Sequence, residues 1–68
     1  NESVTVNGVE IVTNYEIERI QMLFGGKPDA ETIGMLKGAG WNWSPRNKAW
    51  QRMITDATMR SAMKIANA

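Results

Sequence analysis

The chain opens with alternation. Ser3-Val4-Thr5-Val6 and Val9-Glu10-Ile11-Val12 are β-branched runs, and the Asn7-Gly8 pair between them is the residue choice of a tight hairpin turn with positive φ at both central positions. An N-terminal β-hairpin is therefore expected. The period then changes: Ile17, Ile20, Leu23 and Phe24 repeat at helical spacing. Thr13-Asn14-Tyr15-Glu16 ahead of them has the spacing of a capping box, in which Thr13 accepts from an orphan amide and Glu16 reaches back to the cap. Together these predict a helix over about 14–24, ended by Gly25-Gly26.

Pro28 and Asp29 are helix-start residues, and Ala30, Ile33 and Leu36 form one apolar stripe before Gly38 and Gly40, which predicts a short helix over about 29–38. Trp41-Asn42-Trp43-Ser44 and Lys48-Ala49-Trp50-Gln51-Arg52 flank the turn-rich Ser44-Pro45-Arg46-Asn47 and read as a second hairpin, with Trp41 and Trp43 on one face. Thr55 is a cap for a last helix over about 56–67, which lays down Met59, Ala62, Met63 and Ala66, and Ile54 is placed to staple onto Met59. The expected fold class is α+β: a single domain over residues 1–68 in the order ββ-α-α-ββ-α, with antiparallel hairpins packed against helices. The first residue is Asn1 rather than Met, so the domain is expected to be a piece that a longer polypeptide could carry.

Composition sharpens this picture. At 68 residues the core is small, and the absence of Cys and His removes disulfides along with the usual ligands of structural zinc, iron–sulfur clusters and haem. No metal or cofactor is expected. The core is expected to rest on Trp43, Trp50, Ile17, Ile20, Phe24 and Leu36, with Trp41 partly exposed. No apolar run approaches the roughly 20 residues that span a bilayer, which predicts a soluble, intracellular domain without a membrane partner.

The residues offer little to catalysis. Ser3, Ser44 and Ser61 have no His or Cys to activate them. Ser61 and Lys64 sit a helical turn apart but read as solvated neighbours, and Glu16, Asp29, Glu31 and Asp56 stand where helix starts favour negative charge. Gly25-Gly26-Lys27-Pro28-Asp29 brings glycines, a lysine and a helix start together, but lacks the preceding strand and the Ser or Thr of a phosphate-binding loop. The chain is expected not to be an enzyme.

Charge and aromatic placement point instead to binding. Residues 1–36 carry Arg19 and Lys27 against six carboxylates, a net −4, whereas residues 37–68 carry six cations against Asp56, a net +5. Trp41, Trp43 and Trp50 interleave with Arg46, Lys48 and Arg52. Aromatic platforms that stack bases beside cations that meet phosphates are the makings of a nucleic-acid surface. Trp41, Arg46, Lys48 and Arg52 are the candidate nucleic-acid-binding residues, with Arg60 and Lys64 extending the basic side. The same ribbon could instead present an edge strand or a Trp and Arg patch to a protein partner.

From Glu16 to about Ala62 the chain resembles a poorly characterised small module of bacteriophage, plasmid and conjugative-element proteins. The signature of that module is an aromatic-x-Trp-Ser-Pro stretch followed by a second Trp, here Gly40-Trp41-Asn42-Trp43-Ser44-Pro45 and Trp50-Gln51-Arg52. Phe24-Gly25-Gly26-Lys27-Pro28-Asp29 and Thr55-Asp56-Ala57 extend the likeness. The resemblance implies a bacterial or phage-encoded, cytoplasmic domain working near DNA, with Trp43 and Trp50 as structural anchors. The leading expectation is a non-catalytic, nucleic-acid-associated accessory domain of a mobile-element protein, binding single-stranded or duplex nucleic acid. The alternatives are a protein-interaction module, such as an inhibitor of a host defence enzyme, and a purely structural domain.

Overall fold

The computed structural model describes all 68 residues. Strands β1 (Glu2–Val6), β2 (Val9–Asn14) and β3 (Arg19–Leu23) precede helix α1 (Ala30–Gly38), and β4 (Asn42–Ser44) and β5 (Ala49–Met53) precede helix α2 (Asp56–Ala66). The five strands form one antiparallel sheet in the order β1-β2-β3-β5-β4. The fold is α+β, as the sequence implies, but its elements run βββ-α-ββ-α.

Register decides which side of the sheet is buried, because alternate residues of a strand face opposite ways. Ile11 lies opposite Met22, Thr13 opposite Ile20, and Met22 opposite Trp50, so these side chains share one face. Leu36 of α1 and Ala62, Ile65 and Ala66 of α2 complete the same apolar cluster. Both helices therefore cover that face. The other face is mixed, with Val12, Leu23 and Met53 among polar side chains, and its amides bond across the strands: Asn14 Nδ2 donates to Gln21 Oε1 at 3.2 Å, and Gln21 Nε2 to Gln51 Oε1 at 2.8 Å. Asn47 Nδ2 joins this chain at 3.0 Å.

The helix expected over 14–24 is a correction. Residues 15–18 form a hairpin turn and 19–23 form β3, the middle strand of the sheet. Two local features break the helical pattern. Asn14 Oδ1 accepts the Glu16 amide at 3.1 Å, bending the chain into a turn, and Glu18 takes φ 55°, which no helix continues through. Ile20 and Met22 then follow strand periodicity, both facing the core. Ile17, expected inside, sits on the turn with 42% of its surface exposed. Thr13 is not a cap but a buried strand residue opposite Ile20, and Phe24 is partly buried against the core.

The remaining elements follow their local chemistry. Asn7 and Gly8 both adopt positive φ, 50° and 79°, as a type I′ turn requires. Asp29 caps α1 by accepting the Thr32 amide at 2.8 Å, and that backbone hydrogen bond holds its carboxyl below the usual range. Thr55 caps α2 by accepting the Thr58 amide at 3.0 Å. Ile54 and Met59 beside this cap both pack against the core. Asn7 Nδ2 reaches the Ala66 carbonyl at 3.1 Å, so the first turn of the chain closes the end of the last helix.

Trp41 is a second correction, since only 2% of its surface is exposed. Helix α1 ends in a Schellman motif: the Gly40 amide donates to the Lys37 carbonyl at 3.2 Å and the Trp41 amide to the Leu36 carbonyl at 2.9 Å, with Gly40 at φ 85°. The residue after the glycine in this motif habitually packs on the helix's last turn, and Trp41 and Leu36 are both in the core cluster. Its indole Nε1 donates to Ser61 Oγ of α2 at 3.0 Å, which meets the polar requirement of a buried indole. Arg52 Nη1 adds a 2.8 Å bond to the Ala39 carbonyl at the same helix end.

Trp41→Ala is expected to cost about 3–5 kcal/mol, comparable with the whole stability of a domain this small, and a thermal melt should show it largely unfolded. Gly40→Ala, which forces a Cβ into the left-handed region, is expected to cost about 1–2 kcal/mol. The hairpins carry a second test. Tyr15 Oη donates to Glu2 Oε1 at 3.0 Å, and this bond, with the charge of Glu2, raises the phenol's pKa. Its stabilisation is complete below the ordinary phenol range and is lost as pH rises through the raised value. Tyr15 is the sole tyrosine, so absorbance at alkaline pH reports it alone, and Glu2→Gln should bring its midpoint down.

Candidate nucleic-acid interface

The second hairpin places two indoles side by side. Trp43 on β4 is opposite Trp50 on β5, with ring centroids 5.6 Å apart and planes tilted by 56°. Both face the helix-covered side of the sheet, yet their burial differs: 6% of Trp50 is exposed against 49% of Trp43. The difference lies in position, not facing. Trp50 sits on an inner strand, whereas β4 is the edge. The expected burial of Trp43 and exposure of Trp41 are thus exchanged.

Two open clefts meet at this indole pair. One, of about 600 Å³, runs between the indoles and α1 and is bounded by Lys27, Pro28, Ile33 and Lys37. The other, of about 780 Å³, runs along the ends of β1, β2 and β3 and is bounded by Thr5, Glu10, Phe24 and Lys48. Gly26, Pro28, Trp43 and Trp50 border both. A half-exposed indole is thereby flanked by three lysines drawn from the β3–α1 loop, from the end of α1 and from the β4–β5 turn. The Nε1 of Trp50 is buried with no hydrogen-bond partner, and an unmatched buried donor costs about 1–3 kcal/mol.

The β4–β5 turn is held in a strained form. Ser44 Oγ accepts the Asn47 amide at 3.2 Å, and Lys48 adopts φ 52°, a conformation that favours glycine. Glu18 occupies the matching position of the β2–β3 turn at φ 55°.

The expected binding residues divide into three sets. Arg46 and Lys48 lie exposed on the β4–β5 turn, with Lys48 in the cleft. Trp41 is withdrawn from the interface because its ring is in the core, and Arg52 is committed to the Ala39 carbonyl. Arg60 and Lys64 line a separate groove between the helices, with Met35, Gly38 and Ile65. Of the expected core, Ile20, Leu36 and Trp50 are buried. Counting charge by halves of the chain hid Lys27 in the acidic half. A signal was present, since Lys27 follows the paired glycines that permit a close loop. Lys37 and Ile33 share the helical spacing i, i+4, which places them along one side of α1.

No group of three or more His, Cys, Asp or Glu side chains is arranged to hold a metal ion, and no helix is long and apolar enough to cross a membrane. Comparison with protein-family models, with curated proteins and with solved structures gives no match.

Trp43→Ala is expected to cost about 0.5–1.5 kcal/mol, the worth of an aromatic pair at a half-exposed site, well below Trp41→Ala. Acrylamide should quench a single accessible indole component in the native protein, and that component should vanish in Trp43→Ala. Equal accessibility of all three indoles would contradict the arrangement.

Proposed function

We propose that this chain is a non-catalytic nucleic-acid-binding module whose contact surface is the Trp43 cleft. The observation that carries this is a half-exposed indole braced against a buried one, with Lys27, Lys37 and Lys48 around it. A base stacked on an aromatic ring gains about 1–3 kcal/mol, and lysines at the rim meet the phosphates on either side. Bracing keeps the ring in place before the ligand arrives, so little side-chain entropy is lost on binding. The mobile-element setting belongs to the same proposal and rests on the Trp-Ser-Pro stretch.

A second reading, a protein-interaction module, draws on β1. This edge strand is exposed along most of its length, Val4 included although it lies opposite Ile11 on the helix-covered side, and an unpaired edge can take a strand from a partner. In that case binding would be indifferent to Trp43 and weakly dependent on salt.

Lys48→Gly separates function from fold. Relief of the left-handed backbone is expected to stabilise the domain by about 1 kcal/mol, while loss of a phosphate contact lowers affinity for a short oligonucleotide. Raised melting temperature with weakened, salt-sensitive binding supports the proposal. Unchanged binding by both Lys48→Gly and Trp43→Ala would remove the cleft from consideration.

A further inference from the structure

We infer that the ligand of the Trp43 cleft is an unpaired strand, held without reading its base sequence; this rests on the nucleic-acid reading above. About half of the Trp43 surface is exposed, and an indole takes up a base by stacking on it face to face. Within a duplex every interior base has both faces covered by its neighbours, so only an unpaired base can offer a face to Trp43. The cleft between Trp43 and α1 is a trough of about 600 Å³, bounded by Ile33 and Pro28 as well as by the indoles, and such apolar walls suit the body of a base rather than a backbone.

The charges argue against sequence readout. All three cations at the clefts are lysines, which act as rotatable point charges and lack the planar fork by which arginine grips a base edge. No Asn, Gln or Arg lines either cleft, so the side chains that make paired bonds to guanine or adenine are missing. Lys37 and Lys27 stand on the α1 side and Lys48 on the turn side, which gives the phosphates a path past Trp43. Glu10, in the second cleft, repels phosphate and sets the limit of that path on the β2 side. Glu10 is also the one carboxylate there that could accept from a cytosine amino group, so cytosine is the base against which the inference is most exposed.

The test is fluorescence anisotropy with labelled oligonucleotides of about eight thymidines or eight cytidines and with a duplex of about 20 base pairs, across a salt series. Three phosphate contacts to a single strand give a slope of log affinity against log salt of about −2, and Lys37→Gln should lower its magnitude by about 0.7. The single strands are expected to bind about 10-fold or more tightly than the duplex, with thymidine and cytidine alike, and Trp43→Leu should remove most of that margin. Duplex binding as tight as single-strand binding, or a cytidine preference of about 10-fold, overturns the inference while leaving a nucleic-acid module standing. Absence of salt-sensitive binding to every probe overturns both. Lys27→Gln and Lys37→Gln alter no core residue, so they keep the test decisive if Trp43→Leu fails to fold.

Discussion

The junction at Trp41 is the constraint on which the molecule depends. Within three residues, 39 to 41, the chain must end α1, turn, and begin an edge strand, and it does so with the Gly40 and Trp41 amides on the Lys37 and Leu36 carbonyls. The same step inserts the indole into the core and ties it to Ser61 on α2. Helix end, helix–helix contact and strand start are therefore one event. Remove the ring and the cluster loses one of its two tryptophans, in a chain with no cysteine for a disulfide to compensate.

What lies downstream of that junction inherits its geometry. β4 is three residues long and sits at the edge of the sheet, so Trp43 faces inward but passes beyond the cover of α1. Pairing with Trp50 holds it there. Lys37 and Lys27 belong to α1 and its approach, and Lys48 to the turn of the hairpin, so the cleft is assembled from segments far apart in sequence. Counting charge along the chain finds Lys48, beside Arg46 and Arg52, but passes over Lys27, which stands among carboxylates in its own segment.

Where the chain carries strong local chemistry, its structure is legible in advance: Asn7-Gly8 makes the first turn, Asp29 and Thr55 cap the two helices, and the second hairpin closes around Ser44 to Asn47. The third strand was hidden because Ile17, Ile20, Leu23 and Phe24 mimic a helical stripe. Only Ile20 of the four is fully buried, and Met22, outside the stripe, is buried instead. Tertiary pairing on both sides of β3, with β2 and β5, overrides the local pattern. The indoles were distinguishable in principle, since a glycine in the closing position of α1 commits the next residue to pack back on the helix. Composition alone treats three tryptophans as equivalent and cannot show which one lies at an edge.

The position of β3 also bears on how this protein comes together in time. One side of that strand pairs with its sequence neighbour, but the other pairs with β5, Gln21 facing Gln51, and the helix that covers both ends in the last residues of the chain. A ribosome emitting this sequence releases three strands and α1 before β5 and α2, which complete the sheet and the cover of its apolar face. Closing that long loop is entropically costly before any of its contacts repay the cost. The core is therefore complete only when distant segments meet, and the amide of Asn7 donating to the Ala66 carbonyl ties the first turn to the last helix.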